Sequence, residues 1–194
     1  MSEIKIRIAV PEDAGVLLKI YAPYVENTAV SFEYAVPSVE EFSHRIRNTL
    51  KSYPYLAAEM DGETVGYAYA HTFIPRAAYN WSAESSIYVR MDRKGCGIGK
   101  KLYQTLETYL KRQHIQNLNA CIASIDVEDE TLTNDSERFH RHMGYEMVGK
   151  VHHCAYKFNQ WYDMIWMEKK LGEYPEQPGR VIPFAELMQA DAEE

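Results

Sequence analysis

The sequence holds no apolar run long enough to span a bilayer, so an integral membrane role is not expected. Its first residues, from Met1 to Asp13, alternate charged and apolar side chains and lack the apolar core of a secretory leader. Cysteine is scarce. Cys96, Cys121 and Cys154 are odd in number, far apart and without metal-ligand spacing, which argues against a disulfide framework and against a metal site. A reducing cytoplasm is the expected setting. Excess positive charge is also missing: the net charge is −7, so general nucleic-acid binding is not expected. Repeats and low-complexity tracts are absent. What is present, 194 residues with 46% hydrophobic and 25% charged side chains, fits a soluble chain with one sizeable core.

The pattern reads as β-α-α-β-β-β-α-β-α-β-β. Ile4, Ile6 and Ile8 alternate with Lys5 and Arg7 as a half-buried strand. Pro11 suits a first helical position, and Val16, Leu17, Ile20, Tyr21 and Tyr24 then recur at helical spacing as far as Asn27. Thr28 to Glu33 is a β-rich linker. Ser38-Val39-Glu40-Glu41 is a capping box for a second helix with Phe42, Ile46 and Leu50 inward. Asp61-Gly62 joins strands Tyr55 to Met60 and Thr64 to Phe73. A loop from Pro75 leads to the central strand. Ile98, Leu102, Leu106 and Leu110 mark the next helix, which ends near His114. Asn117 to Ile125 is a strand, Thr133 to Met143 a helix closed by Gly144, and Tyr145 to Val151 and Asp163 to Glu168 are the last strands. The domain is expected to span 1–170. Residues 171–194 read as a polar, Pro-rich extension, partly ordered at best, with Val181, Ile182, Phe184 and Leu187 able to dock.

The chemistry concentrates between Glu84 and Leu102. A strand, Ile87-Tyr88-Val89, runs through Gly95-Cys96-Gly97-Ile98-Gly99 into a helix start. That geometry aims bare N–H groups and a positive dipole end at one point, an anion site. A P-loop does not fit, because Lys94 stands where its first glycine should be relative to Lys100, and Lys101 stands where Ser or Thr should be. A dinucleotide fingerprint fails too, since Lys100 or Leu102 falls at its last glycine. Arg90, Arg93, Lys94, Lys100 and Lys101 crowd the site. Lysines at a helix start oppose its dipole, and an anionic ligand relieves that conflict.

Lys94-x-x-Gly97-x-Gly99 resembles the Q/R-x-x-G-x-G/A pyrophosphate loop of the GCN5-related N-acetyltransferases (GNAT), with lysine replacing Gln or Arg. Arg76-x-Ala78-Tyr79-x-Trp81-x-x-Glu84-x-Ser86-x-Tyr88-Val89 resembles the corresponding run of the phosphinothricin and methionine sulfoximine acetyltransferase branch. Thr28 to Glu33 resembles its T-x-x-S-F-E segment, and Trp161-x-Asp163 its W-x-D. Asn134-x-Ser136-x-x-Phe139-His140-x-x-x-Gly144-Tyr145 resembles N-x-x-S-x-x-L/F-H-x-x-x-G-F, with Thr133 rather than Asn134 at the strict spacing. The resemblance runs from about Ile4 to Lys170.

It implies an α/β acyl-CoA N-acyltransferase fold, a mixed central sheet flanked by helices, using acetyl-CoA and no metal. Tyr88, Val89 and Arg90 would meet the thioester and pantetheine arm, and a backbone N–H there would polarise the carbonyl. Lys94, Gly95, Cys96, Gly97, Ile98, Gly99 and Lys100 would hold the pyrophosphate, with Asn134 and Ser136 also on the coenzyme. Cys96 itself reads as incidental, not as a nucleophile. Glu84 is the candidate base and His140 the candidate donor to the leaving sulfur. Each has a plainer alternative: a solvated strand-start acid for Glu84, a packing histidine for His140. Phe32, Glu33, Arg76 and Tyr79 would form the acceptor site, Arg76 matching a carboxylate or phosphinyl group. Arg76 also reads as a surface loop residue, and Tyr79 and Trp81 as core or dimer packing. His142 is a weaker candidate. His152 and His153, adjacent on a strand, should face opposite sides.

The expected reaction is direct acetyl transfer, in a ternary complex, to the primary amine of a small amino-acid analogue, by a homodimer. The alternatives are protein or peptide N-acetylation and a non-catalytic acetyl-CoA-binding module.

Overall fold

The computed structural model describes residues 3–193. Met1 and Ser2 of the N-terminal alternation and Glu194 of the tail lie outside the described residues. Seven strands form one sheet: β1 (Ile4–Ile8), β2 (Tyr55–Met60), β3 (Glu63–Thr72), β4 (Ser82–Val89), β5 (Asn117–Ser124), β6 (Glu146–Lys157) and β7 (Gln160–Lys170). Their spatial order is β1-β2-β3-β4-β5-β7-β6. The helices are α1 (Ala14–Asn27), α2 (Val39–Ser52), α3 (Ile98–Arg112), α4 (Asp135–His142) and α5 (Phe184–Glu193). No described helix is long and apolar enough to cross a membrane.

Local chemistry sets most element ends. Ser38 Oγ accepts from Glu41 N at 3.1 Å and starts α2. Asp61 (φ 55°) and Gly62 (φ 80°) are both left-handed, the pairing a tight two-residue hairpin needs. Gly144 (φ 87°) stops α4.

Two cores sandwich the sheet. On one face, Ile98, Leu102, Leu106 and Leu110 of α3, each no more than 1% exposed, pack on Ala68, Ala70, Leu118 and Ile165. Each such side chain contributes roughly 1.5–3 kcal/mol. On the other face, α1 and α2 place Leu17, Ile20, Phe42 and Ile46 on Tyr55 and Tyr67.

Several expectations change. The Thr28 to Glu33 linker keeps its place between α1 and α2 and, despite its β-rich composition, is a bent loop. Helix α4 starts at Asp135, not Thr133. β6 and β7 are longer than read, because Phe158 (φ 50°) and Asn159 (φ 59°) make a second tight hairpin without glycine. Strand alternation does not apply to His152 and His153: the β6–β7 register shifts between Val151 and Ala155, and His153 is left-handed (φ 48°). The tail is more structured than expected. It carries α5, with Phe184 and Leu187 buried, and Trp81 Nε1 donates to Gly179 O at 2.8 Å.

Candidate active site

β4 pairs with β3 along nearly its whole length, from Thr72↔Ala83 to Gly66↔Val89. Against β5 it pairs in parallel only at Ser82↔Asn117, Ala83↔Leu118 and Glu84↔Asn119. Beyond Glu84 the two strands part, while β5 stays paired with β7 to Ser124↔Asp163. The sheet therefore opens as a V with Glu84 at its vertex.

Two cavities fill the V. A small one of about 50 Å³ lies between the strands, lined by Ser85, Ser86, Tyr88, Tyr103, Cys121 and His140. A larger cleft of about 490 Å³ runs outward past Val89, Lys94, Gly95, Gly97, Gly99 and Lys100. Val30, Ile87 and Ser136 line both, so the two form one track.

The outer end is built for an anion. Gly97 caps α3 in the left-handed region (φ 82°), and the first backbone bond closing the helix is Lys101 N to Gly97 O at 3.2 Å. The N–H groups of Ile98, Gly99 and Lys100 precede that bond and have no intrahelical acceptor. No side chain at Gly97 competes for them. Gly99 admits no larger residue cheaply: an added Cβ would meet Phe139 at 3.0 Å. Arg93 borders the cleft, and its Nε is buried without a hydrogen-bond partner, 3.9 Å from Asp92. These free donors fit a pyrophosphate.

Not every expected residue faces the track. Arg90 is tied to Glu63 at 2.8 Å and Asp92 at 2.7 Å, and its N–H goes to Val65 O. Lys101 Nζ reaches Ile4 O. Cys96 is exposed and not part of the cleft wall. Asn134 uses its side chain on Ile125 O at 3.0 Å, joining β5 to α4, while neighbouring Thr133 lines the cleft. Val89 borders the cleft, its carbonyl accepting the Tyr24 hydroxyl at 2.5 Å.

At the vertex, Glu84 Oε1 lies 3.7 Å from His71 Nε2. Burial raises the Glu84 pKa above the ordinary carboxylate value, and nearby His71 partly opposes this. His140 is 3% exposed. Its Nδ1 lies 2.7 Å from Ser136 O, which can only accept, so Nδ1 carries the hydrogen. Nε2 is therefore the acceptor for the Tyr103 hydroxyl at 2.9 Å. Burial, partly offset by the Ser136 bond, lowers the His140 pKa to about 4, so the ring is neutral near pH 7. Ser85 Oγ, 3.3 Å from both Tyr103 and Tyr145 hydroxyls, extends the network.

Phe73, just past the end of β3, packs edge-on to Tyr79 (6.1 Å) and Trp166 (5.4 Å). Arg76 is exposed and has no ion-pair partner among the described residues. Glu33 is bound to Arg45 at 2.6 Å, and Phe32 packs on Tyr162 at 6.1 Å. No group of three or more His, Cys, Asp or Glu among the described residues is arranged to hold a metal.

Sequence reasoning missed Tyr103 and His71, and it named Arg93 and Thr133 without giving either a role in the site. Arg93 stood in the basic cluster and Thr133 at the strict motif spacing. Tyr103 and His71 carried no local signal.

Comparison with known proteins bears on this arrangement directly. Residues 6–166 match the acetyltransferase (GNAT) domain. The chain is 29% identical over 184 residues to a phosphinothricin N-acetyltransferase of Streptomyces viridochromogenes, covering 95% of this chain and 96% of that protein. It is 31% identical over 166 residues to an L-methionine sulfoximine/L-methionine sulfone acetyltransferase of Pseudomonas paraeruginosa, covering 82% and 92%. The crystal structure of a Sinorhizobium meliloti phosphinothricin acetyltransferase in complex with AcCoA superposes with a TM-score of 0.84 at 30% identity, covering 93% of this chain and 96% of that one. A parted sheet, a donor-lined helix start and a family match across most of its length lead to one conclusion: the chain belongs to the GNAT acetyltransferases.

Proposed function

We propose that this protein transfers the acetyl group of acetyl-CoA to the primary amine of a small amino-acid analogue, of the kind named for its relatives: phosphinothricin or methionine sulfoximine and sulfone. The observation that carries the reading is the single track from the α3 N–H groups to Ser85 and Ser86, next to the vertex where β4 and β5 part at Glu84. It suits a long ligand with pyrophosphate at one end and a reactive thioester at the other.

In this reading the N–H groups of Ile98, Gly99 and Lys100, with Lys94 and Arg93, hold the pyrophosphate. Strand N–H groups alternate in direction, and Arg90 N–H points to β3, so Val89 N–H faces the gap. Within the Tyr88 to Arg90 stretch it is the N–H that polarises the thioester carbonyl. Glu84 takes one proton from the acceptor ammonium. The freed amine nitrogen attacks the carbonyl carbon, the N–C bond forms and the C–S bond breaks. The second nitrogen proton ends on the sulfur. We assign the hydrogen bond to that sulfur to Tyr103: at rest its single phenolic hydrogen lies on Nε2 of neutral His140, whose own hydrogen is committed to Ser136, and it turns from Nε2 to the sulfur as the C–S bond breaks. Arg76, with its free guanidinium, receives the acceptor's acidic group beside Tyr79, Phe32 and Glu33.

A homodimer in the cytoplasm completes the proposal. Exposed apolar side chains along the β6–β7 edge, Val148, Val151, Tyr156 and Trp161, support the first, and three free cysteines support the second. The test is release of coenzyme A thiol across phosphinothricin, methionine sulfoximine, methionine sulfone, free amino acids, polyamines and short peptides. Activity with the amino-acid analogues is expected. Activity confined to peptides, or tight acetyl-CoA binding with no thiol release, would overturn the proposal.

A further inference from the structure

Lys157, the last residue of β6, is 5% exposed. Among the described residues its ammonium forms no direct ion pair; the Glu33 carboxylate acts on it only from beyond contact distance. Instead it donates to three backbone carbonyls: Val25 O at 2.7 Å, Thr28 O at 2.9 Å and Ser31 O at 2.7 Å. Val25 lies in the last turn of α1 and Thr28 is its C-cap. The cation therefore sits at the negative end of the helix dipole and uses all three of its hydrogens. A neutral side chain would leave buried carbonyls unpaired.

The residue after it is unusual. Phe158 is bulky yet left-handed (φ 50°), a conformation that favours glycine. Its ring lies 5.0 Å from Lys157 Nζ. The hairpin tip thus keeps a strained aromatic residue where it covers the ammonium. The loop so held carries Val30, which walls both the small cavity and the cleft, and Phe32 and Glu33 beyond it.

We infer that Lys157 is a positioning residue: its ammonium pins loop 28–33 to the end of α1 and so fixes Val30 at the passage where thioester and amine meet. The inference rests on the acetyl-transfer reading for its catalytic consequence, and on geometry alone for its structural one. Lys157 touches no reacting atom; it acts through Val30.

The test uses the full chain with Lys157→Met and the milder Lys157→Gln. Amide hydrogen exchange across 28–33 should quicken by about tenfold in Lys157→Met while α3 amides stay protected. The acceptor kcat/KM should fall by about 10- to 100-fold, because small misplacements at a reacting centre are costly. The acetyl-CoA Kd, read by calorimetry, should stay within about threefold, since the Lys94 to Lys100 end is untouched. Lys157→Gln should be intermediate in each. Val30→Gly leaves the ammonium and its carbonyls intact and should reproduce the fall in kcat/KM. Unchanged exchange at 28–33, faster exchange spread evenly over the chain, or normal turnover in Val30→Gly would each overturn the proposal. If the unaltered protein acetylates no amine, the acetyl-transfer reading fails, and hydrogen exchange alone still decides whether Lys157 holds the loop.

Discussion

Tyr103 of α3 gives its phenolic hydrogen to Nε2 of His140 on α4 across 2.9 Å, and both line the small cavity. The pairing assigns different jobs to two residues that are both buried. His140 is an acceptor that orients; Tyr103, which lines the small cavity, is the donor assigned to the leaving sulfur. Tyr103→Phe should cut kcat by about 100- to 1,000-fold, the usual loss for one aimed donor, with acetyl-CoA affinity preserved. Burial raises the Tyr103 pKa, so the phenol stays protonated and should add no alkaline limb to kcat below pH about 10. A Tyr103→Phe enzyme with full turnover would remove the donor role.

His140 also links stability to pH. Its pKa falls from 6.5 to about 4 on folding. Between those values the unfolded chain binds the proton and the folded one does not, so stability is complete above pH about 6.5 and declines as pH drops toward 4. The loss attributable to this residue is about 3 kcal/mol in all. Urea midpoints of the wild type and His140→Gln should therefore converge as pH is lowered from about 7 to about 5. Parallel curves would show that the imidazole titrates normally.

Glu84 and His71 form the second pair, 3.7 Å apart. Glu84→Gln should lower turnover by about 100-fold or more while sparing acetyl-CoA binding, as expected when a general base is lost. Burial raises the Glu84 pKa and His71, when charged, holds it down. Removing His71 as His71→Gln should move the acid limb of kcat/KM to higher pH. A limb that moves to lower pH would mean that another group supplies it.

The contrast between these pairs and the sequence reading is one of range. The α3 stripe, the Ser38 cap and the Asp61-Gly62 turn all follow from neighbours within a few residues, and the sequence pattern located them. The Gly97 anion site was legible for the same reason. Tyr103 and His140 are 37 residues apart, and Lys157 reaches back 132 residues to Val25; no periodicity encodes such contacts. Arg90 looked like a site residue because it adjoins the glycine loop, yet Glu63 from the neighbouring hairpin captures it. The Phe158-Asn159 turn lacks the glycine that signals a tight hairpin, so the lengths of β6 and β7 were underread.

The tail offers the last prediction, since its composition and its packing point in opposite directions. It is polar and Pro-rich, and Arg112 pairs with Asp191 at its end, but those side chains are 42% and 40% exposed. An exposed pair of that kind contributes about 0–1 kcal/mol. Phe184 differs: it is 2% exposed and packs edge-on to Tyr109 at 5.3 Å. Truncating a buried phenylalanine costs about 3–5 kcal/mol. At roughly 2–4 °C per kcal/mol for a chain of this size, Phe184→Ala should lower Tm by about 10 °C. Asp191→Asn should shift it by no more than about 2–4 °C. Thermal unfolding of the two variants decides between burial and charge as the force that docks the tail. If Asp191→Asn is the more damaging, the extension is held by its ion pair. The expected order instead makes α5 an outer layer of the domain, anchored by Phe184, with Gly179 O left to steady Trp81 beside the Arg76 loop.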